Sequence, residues 1–351
     1  MRSVARRVWA CGAGAILMVA MGGVAGASGM RPGGGGTALY VSVDGDDGNV
    51  GSRDAPFRTL QKAADVAVPG TVVHVAPGGY AGDVVLAKAG KPGSWITFLS
   101  EVRHAAVLSG RFAVQREYVR VAGFDITGPH IRDGMDVTAS NTVIQDNEFH
   151  DIHKFEPNSD GGSGLTVFTD DYEPLENVVV DGNHVYDIGL SVGDNQLVQG
   201  IYISVPCRGC AVVNNLVHQV ADFGIHSYHR PRYWLVANNT VFNNGRGILT
   251  GPDFTVLNNI SFGNQASNYD VRGTATMSHN LSFGSGSARL PGVVVADPRF
   301  VNYRADGSGD YHLAMGSPGI DGGTAAGAPR HDIDGRRRPQ GRGYDIGAYE
   351  Q

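Results

Sequence analysis

The stretch Gly200-Ile201-Tyr202-Ile203-Ser204, followed by Gly224-Ile225-His226-Ser227-Tyr228, decides the fold. Both segments read as short strands led by glycine. Strand side chains alternate between faces, so Ile201, Ile203 and Ile225 share one side, and Tyr202, Ser204, His226 and Tyr228 the other. The same design recurs as Gly134-Met135-Asp136-Val137-Thr138, Gly164-Leu165-Thr166-Val167-Phe168 and Gly247-Ile248-Leu249-Thr250-Gly251. Five copies of one strand imply a stack. The stack sets Tyr202 beside His226 on its outer face, where chemistry is to be sought.

A second pattern gives the period. Asn147, Asn183, Asn215, Asn239, Asn259 and Asn280 recur at spacings of 36, 32, 24, 20 and 21 residues. Three residues before each stand Ile144, Val180, Val212, Val236, Val256 and Met277, an apolar column. Three residues after each stand His150, Tyr186, His218, Phe242, Phe262 and Phe283, a column of rings in which His150 and His218 are expected to be packed rather than catalytic. Asparagine suits tight turns because its amide bonds locally and tolerates left-handed backbone. Stacked amides can also bond to one another. Each coil then carries three strands: one before the Asn, one after it, and the glycine-led one. A period of this length with valine, isoleucine and asparagine rather than leucine columns predicts an all-β, right-handed parallel β-helix, the hand following the rule for parallel crossovers. Extra length falls in two loops, His153 to Gly164 and Gly189 to Gln199, both opening directly before glycine-led strands.

The ends fit this plan. Arg2, Arg6 and Arg7 precede the apolar run Ala13 to Ala20, and Ala25-Gly26-Ala27 resembles a cleavage site, so Met1 to Ala27 is expected to be a secretory signal. Residues 28–38 form a glycine-rich tether, and Leu39 to Gln351 a single domain. Within it, Leu39 to Tyr80 supplies a cap: Leu60, Ala63, Ala64 and Ala67 follow helical spacing after Thr59 as N-cap. A tail from about Asp297 to Gln351 closes the other end, with Arg336-Arg337-Arg338 expected at its surface beside Asp332 and Asp334. Loss of the signal leaves 25 basic against 34 acidic residues, which argues against a nucleic-acid partner. No downstream segment suggests membrane insertion, and an extracellular or periplasmic monomer is expected. The remaining cysteines, in Cys207-Arg208-Gly209-Cys210, are expected to form a disulfide, because no second pair is present to complete a zinc site.

The opening Tyr40-Val41-Ser42 through Pro56-Phe57-Arg58-Thr59-Leu60-Gln61-Lys62-Ala63-Ala64 to Pro77-Gly78-Gly79-Tyr80 resembles that of family 9 polysaccharide lyases. The ending Asp310-Tyr311-His312-Leu313 through Ser317-Pro318 to Asp345-Ile346-Gly347-Ala348-Tyr349-Glu350 resembles the tail of choice-of-anchor Q proteins. With the coil pattern between them, the chain is similar to the pectate-lyase-like superfamily of secreted right-handed β-helix repeat proteins. The resemblance implies a polysaccharide substrate, a lysine base and a calcium ion held by clustered aspartates. After Lys91 the chain has a single lysine, Lys154, in His153-Lys154 at the mouth of the first long loop. The nearest aspartate pair to it is Asp170-Asp171, which is open to three readings: solvated turn, calcium site, or glycosidase acid and base.

The residues themselves support a β-elimination. That reaction needs a base, a cation or acid to neutralise the uronate carboxylate, and a proton donor for the leaving oxygen. His226 and Lys154 are rival bases, and Tyr202 or Tyr228 could donate the proton. Arg230 could clamp a carboxylate, with His229, Arg246 and His153 beside it. The competing reading makes Tyr202, His226 and Tyr228 a ladder that only stiffens the stack. A glycoside hydrolase with two carboxylates facing the groove, and a non-catalytic carbohydrate-binding protein, are the alternatives. His226 is expected to point outward and to contribute little to packing.

Overall fold

The computed structural model describes residues 37–128, 132–152, 162–190 and 197–351. Among these residues the chain winds through three parallel sheets, taking one strand of each per coil. The first has ten strands, from Ala38–Val41 to Thr276–Ser278; the second has ten, from Gly78–Ala81 to Val293–Val295; the third has eight, from Val84–Leu86 to Ser267–Asp270. The Thr142–Gln145, Glu148–Ile152 and Gly162–Val167 strands make one such coil. The architecture is an all-β parallel helix.

Register follows the sequence columns. Ile144, Val180, Val212, Val236, Val256 and Met277 pair successively in the first sheet. All but Met277 are fully buried. The asparagines form a ladder inside the turn: Asn215 Nδ2 donates to Asn239 Oδ1 at 2.9 Å and Asn239 Nδ2 to Asn259 Oδ1 at 2.9 Å. Each amide also donates to a carbonyl of the coil before, as Asn239 does to Val212 at 2.9 Å. Burial of these polar groups is tolerated because their bonds are made. The left-handed backbone sits one residue earlier than the ladder, at Asp146, Gly182, Asn214, Asn238, Asn258 and His279, with φ between 52° and 67°.

The helix Leu60–Val66 covers the start of the stack. Thr59 accepts from the Lys62 amide at 3.1 Å. Gln61 satisfies the edge strand Val84–Leu86, taking the Val85 amide at 2.7 Å and donating to its carbonyl at 3.3 Å. An unpaired edge would otherwise template association. At the other end the tail does more than close the last coils. Asn214 donates to the His331 carbonyl, and Asn238 to the carbonyls of Asp345 and Gly347.

One expectation fails here. Arg338 is not a surface residue: its guanidinium is buried and bonds Glu350 at 2.6 Å, the Gly347 carbonyl at 2.9 Å and Asn214. A tail that lies along earlier coils must bring its own charge compensation inside. Cys207 and Cys210 are joined by a disulfide across 5.6 Å between Cα atoms. No helix of the described residues is long and apolar enough to cross a membrane.

Candidate active-site groove

Packing explains why glycine leads each strand of the third sheet. A Cβ on Gly200 would lie 2.8 Å from Val217 Cγ1, and one on Gly224 would lie 2.6 Å from Val241 Cγ1. The glycine faces the interior, and so does the following residue, Ile201 or Ile225, both buried in the core. Two successive inward positions break strict alternation. The residue before the glycine and the second residue after it therefore meet on the outer face. Phe223 stacks on His226 at 4.4 Å and 6° within one strand, and between neighbouring strands Thr166 Oγ1 donates to Asp133 Oδ1 at 3.4 Å.

The outer face thus carries two columns. One runs Asp136, Thr166, Tyr202, His226 in register. The other runs Asp133, Ser163, Gln199, Phe223, Arg246. Sequence reasoning found the first and missed the second. The signal was present in the polar residue before the glycine in four of the five repeats.

Tyr202 and His226 are brought together as expected, with ring centroids 5.4 Å apart. Tyr228 continues the ring series, 5.7 Å from His226, and Arg272 lies 5.4 Å over the Tyr228 ring. His226 corrects its expectation, because Phe223, Tyr202 and Tyr228 cover it and only 8% is exposed. Burial first, and then the charges of Arg272 and Arg246, push its conjugate acid down to about 3. The ring is therefore neutral at pH 7 and a weak proton acceptor. Burial pushes the Tyr202 hydroxyl well above its ordinary range, so it stays protonated.

His229 and Arg230 adjoin this series. The Tyr172 hydroxyl lies 3.2 Å from His229 Nδ1, and the Arg230 guanidinium stands 5.6 Å over the Tyr172 ring. Tyr228, His229, Thr250 and Arg272 line a cavity of about 260 Å³. Arg246 is held by Asp222 at 3.1 Å and lies 5.0 Å over Phe223. Asp170 and Asp171 occupy an exposed turn next to Tyr172. Lys154 and His153 lie outside the described residues.

The unanticipated carboxylates stand at the other end. Asp133 and Asp136 are 8% and 7% exposed. Burial, and then the neighbouring Asp136 charge, raise the Asp133 carboxyl to about 6. Burial also raises Asp136, against the opposing charge of Arg111. Among the described residues no group of three or more His, Cys, Asp or Glu side chains could hold a metal ion.

Residues 123–261 match a family described as a right-handed β-helix region, and residues 43–85 match one described as a protein of unknown function, DUF1565. A curated relative, the uncharacterised protein YwoF of Bacillus subtilis (strain 168), is 34% identical over 113 residues, which is 32% of this chain. The match spans 23% of that relative's length. Among solved structures, pectate lyase Pel9A superposes with a TM-score of 0.66 at 17% identity, covering 93% of this chain and 99% of that one. A rhamnogalacturonan lyase covers 76% of this chain and 91% of its own at 16% identity, with a TM-score of 0.46. Likeness at this identity establishes the fold and leaves the chemistry to the residues.

Proposed function

We propose that this chain, a right-handed parallel β-helix protein with the pectate-lyase-like fold, is an exported enzyme that cleaves an acidic polysaccharide by β-elimination in the groove over Tyr202 and His226. The observation that carries the reading is the ring series Tyr202, His226, Tyr228 on a rigid sheet, flanked by Arg230, Arg246 and Arg272. Rings offer faces for sugars, and guanidinium groups offer charge to their carboxylates.

Roles follow from environment. The Tyr202 hydroxyl, held protonated, donates to the leaving oxygen. His226, neutral and stacked, is too weak a base for a carbon-bound proton, so it positions Tyr202. Lys154, two residues beyond the Glu148–Ile152 strand in sequence, is then the base. His153, His229 and Arg230 contribute to substrate binding. Arg246, engaged by Asp222, holds charge at the groove's edge. Asp170 and Asp171, in a solvated turn, add to its polar rim.

A second reading has its own support. Asp133, with its carboxyl at about 6, and Asp136, ion-paired with Arg111, are two carboxyl groups on one face. Such a pair fits a glycoside hydrolase. Incubation with a panel of acidic and neutral polysaccharides separates these outcomes. Unsaturated uronate absorbance reports a lyase, and new reducing ends without it report a hydrolase. Neither product, with retained affinity, reports a binding protein.

A further inference from the structure

The arginines beside the ring series differ in what holds them. Arg246 is ion-paired with Asp222 at 3.1 Å. Arg230 stands over Tyr172, away from the lining of the 260 Å³ cavity. Arg272 lines that cavity together with Tyr228, Thr250, Pro231 and Pro252. Its guanidinium meets the Tyr228 ring at 5.4 Å and, among the described residues, no carboxylate. The backbone beneath it is fixed. The Arg272 amide donates to Thr250 Oγ1 at 3.2 Å, and the Thr250 amide donates to the Asp270 carbonyl at 2.9 Å. Thr250 is itself fully buried, while Arg272 is exposed. Pro231 and Pro252, with their fixed φ, stiffen the walls.

A ring contact leaves the N–H fork of a guanidinium without an oxygen acceptor, and that fork matches a carboxylate. Of the charges acting on His226, that of Arg272 is the largest, so it bears on the groove. Tyr228 follows the Phe223–Ser227 strand, which pairs directly with the Val198–Ile203 strand carrying Tyr202. Neighbouring strands lie about 4.8 Å apart, close to the length of one pyranose. We infer that the cavity at Arg272 is a subsite for the carboxylate of a uronate adjoining the one that reacts, and that Arg272 makes it select an acidic over a neutral sugar. A carboxylate there gains charge-assisted bonds from the fork, whereas a hydroxymethyl group leaves the guanidinium to water. Loss of the fork therefore raises KM more than it lowers kcat.

The inference rests on the acidic-polysaccharide reading for its ligand, and its test separates the two. Tetrasaccharides of galacturonate, glucuronate, mannuronate and guluronate are titrated into the full chain by calorimetry, each beside its carboxyl-reduced counterpart. The wild type should bind at least one acidic tetrasaccharide, and bind it more tightly than the reduced form. Arg272→Gln should weaken binding of that acid by about tenfold or more, with the reduced form unaffected and the melting temperature unchanged. Arg272→Lys, which keeps the charge and loses the fork, should fall between. Equal affinity of wild type and Arg272→Gln for every acid, equal affinity of the wild type for acid and reduced forms, or no acid bound at all overturns the subsite. Acid binding that depends on Arg272, without unsaturated uronate from the wild type, would keep the subsite and remove the elimination. Unsaturated product from both proteins at the same KM would do the reverse.

Discussion

Tyr202 and His226 occupy register-matched positions on neighbouring strands, their rings 5.4 Å apart and inclined by 39°. The relationship fixes the orientation of the Tyr202 ring, because His226 is itself held by Phe223 on the same strand. The groove is therefore supported by its own outer face as well as by the core.

His226→Phe tests what the buried ring does. Its folded pKa, pushed to about 3, lies below the ordinary imidazole value. The neutral ring thus contributes stability that is fully present above about pH 6.5 and is lost as pH falls towards about 3. His226→Phe should keep the stack and remove that acid sensitivity, as read by urea unfolding between pH 4 and 7. His226→Ala should destabilise by about 2–4 kcal/mol through the void it leaves. An unchanged acid slope in the Phe variant would contradict the burial argument.

Asp133 should cost stability where it serves the groove. Its folded pKa of about 6 lies above the unfolded carboxyl value. Below both values the proton is bound in either state and nothing is lost. As pH rises from about 4 to 6 the unfolded chain ionises first, and stability falls. Asp133→Asn should therefore stabilise the protein at pH 7 by on the order of 1–3 kcal/mol, with the gain gone by pH 4. Equal unfolding free energies at pH 7 would count against it.

The ladder predicts a larger loss. Asn239 accepts from the amide and side chain of Asn215, both at 2.9 Å, and donates to Val212 and Asn259. Asn239→Ala leaves several buried groups without partners, at about 1–3 kcal/mol for each one lost. Denaturant unfolding should show a loss of several kcal/mol, and near-wild-type stability would defeat the ladder as a source of stability.

The disulfide predicts the opposite. Cys207→Ser opens a loop with a sequence separation of 3, so little chain entropy is released. Thermal melting should move by a few degrees at most, and mass spectrometry of the non-reduced wild type should find two hydrogens fewer than the dithiol.

The body of the fold was legible because its columns are periodic in sequence: Val180 to Val212 to Val236 needs only counting. The Tyr202 and His226 column was legible for the same reason. Asp133, Ser163 and Gln199 were hidden, since strict alternation assigns them to the interior and only the double inward step at the glycine turns them to the outer face of the sheet, where neighbouring side chains still bury them. The burial of His226 was hidden too, because Phe223 is its cover and was likewise assigned inward. Arg338 was misread because its partner Glu350 and its surroundings at Asn214 come together only when the tail lies back along the coils.

The central claim is that Tyr202 delivers the leaving-group proton in a β-elimination. Its most direct test compares wild type and Tyr202→Phe on acidic polysaccharides by the ultraviolet absorbance of unsaturated uronate ends, with melting temperatures measured alongside. The wild type should generate that absorbance on at least one substrate, and Tyr202→Phe should lower its rate by about 100-fold or more at unchanged melting temperature. Equal rates in the two proteins, or no absorbing product from any acidic polysaccharide, would contradict it.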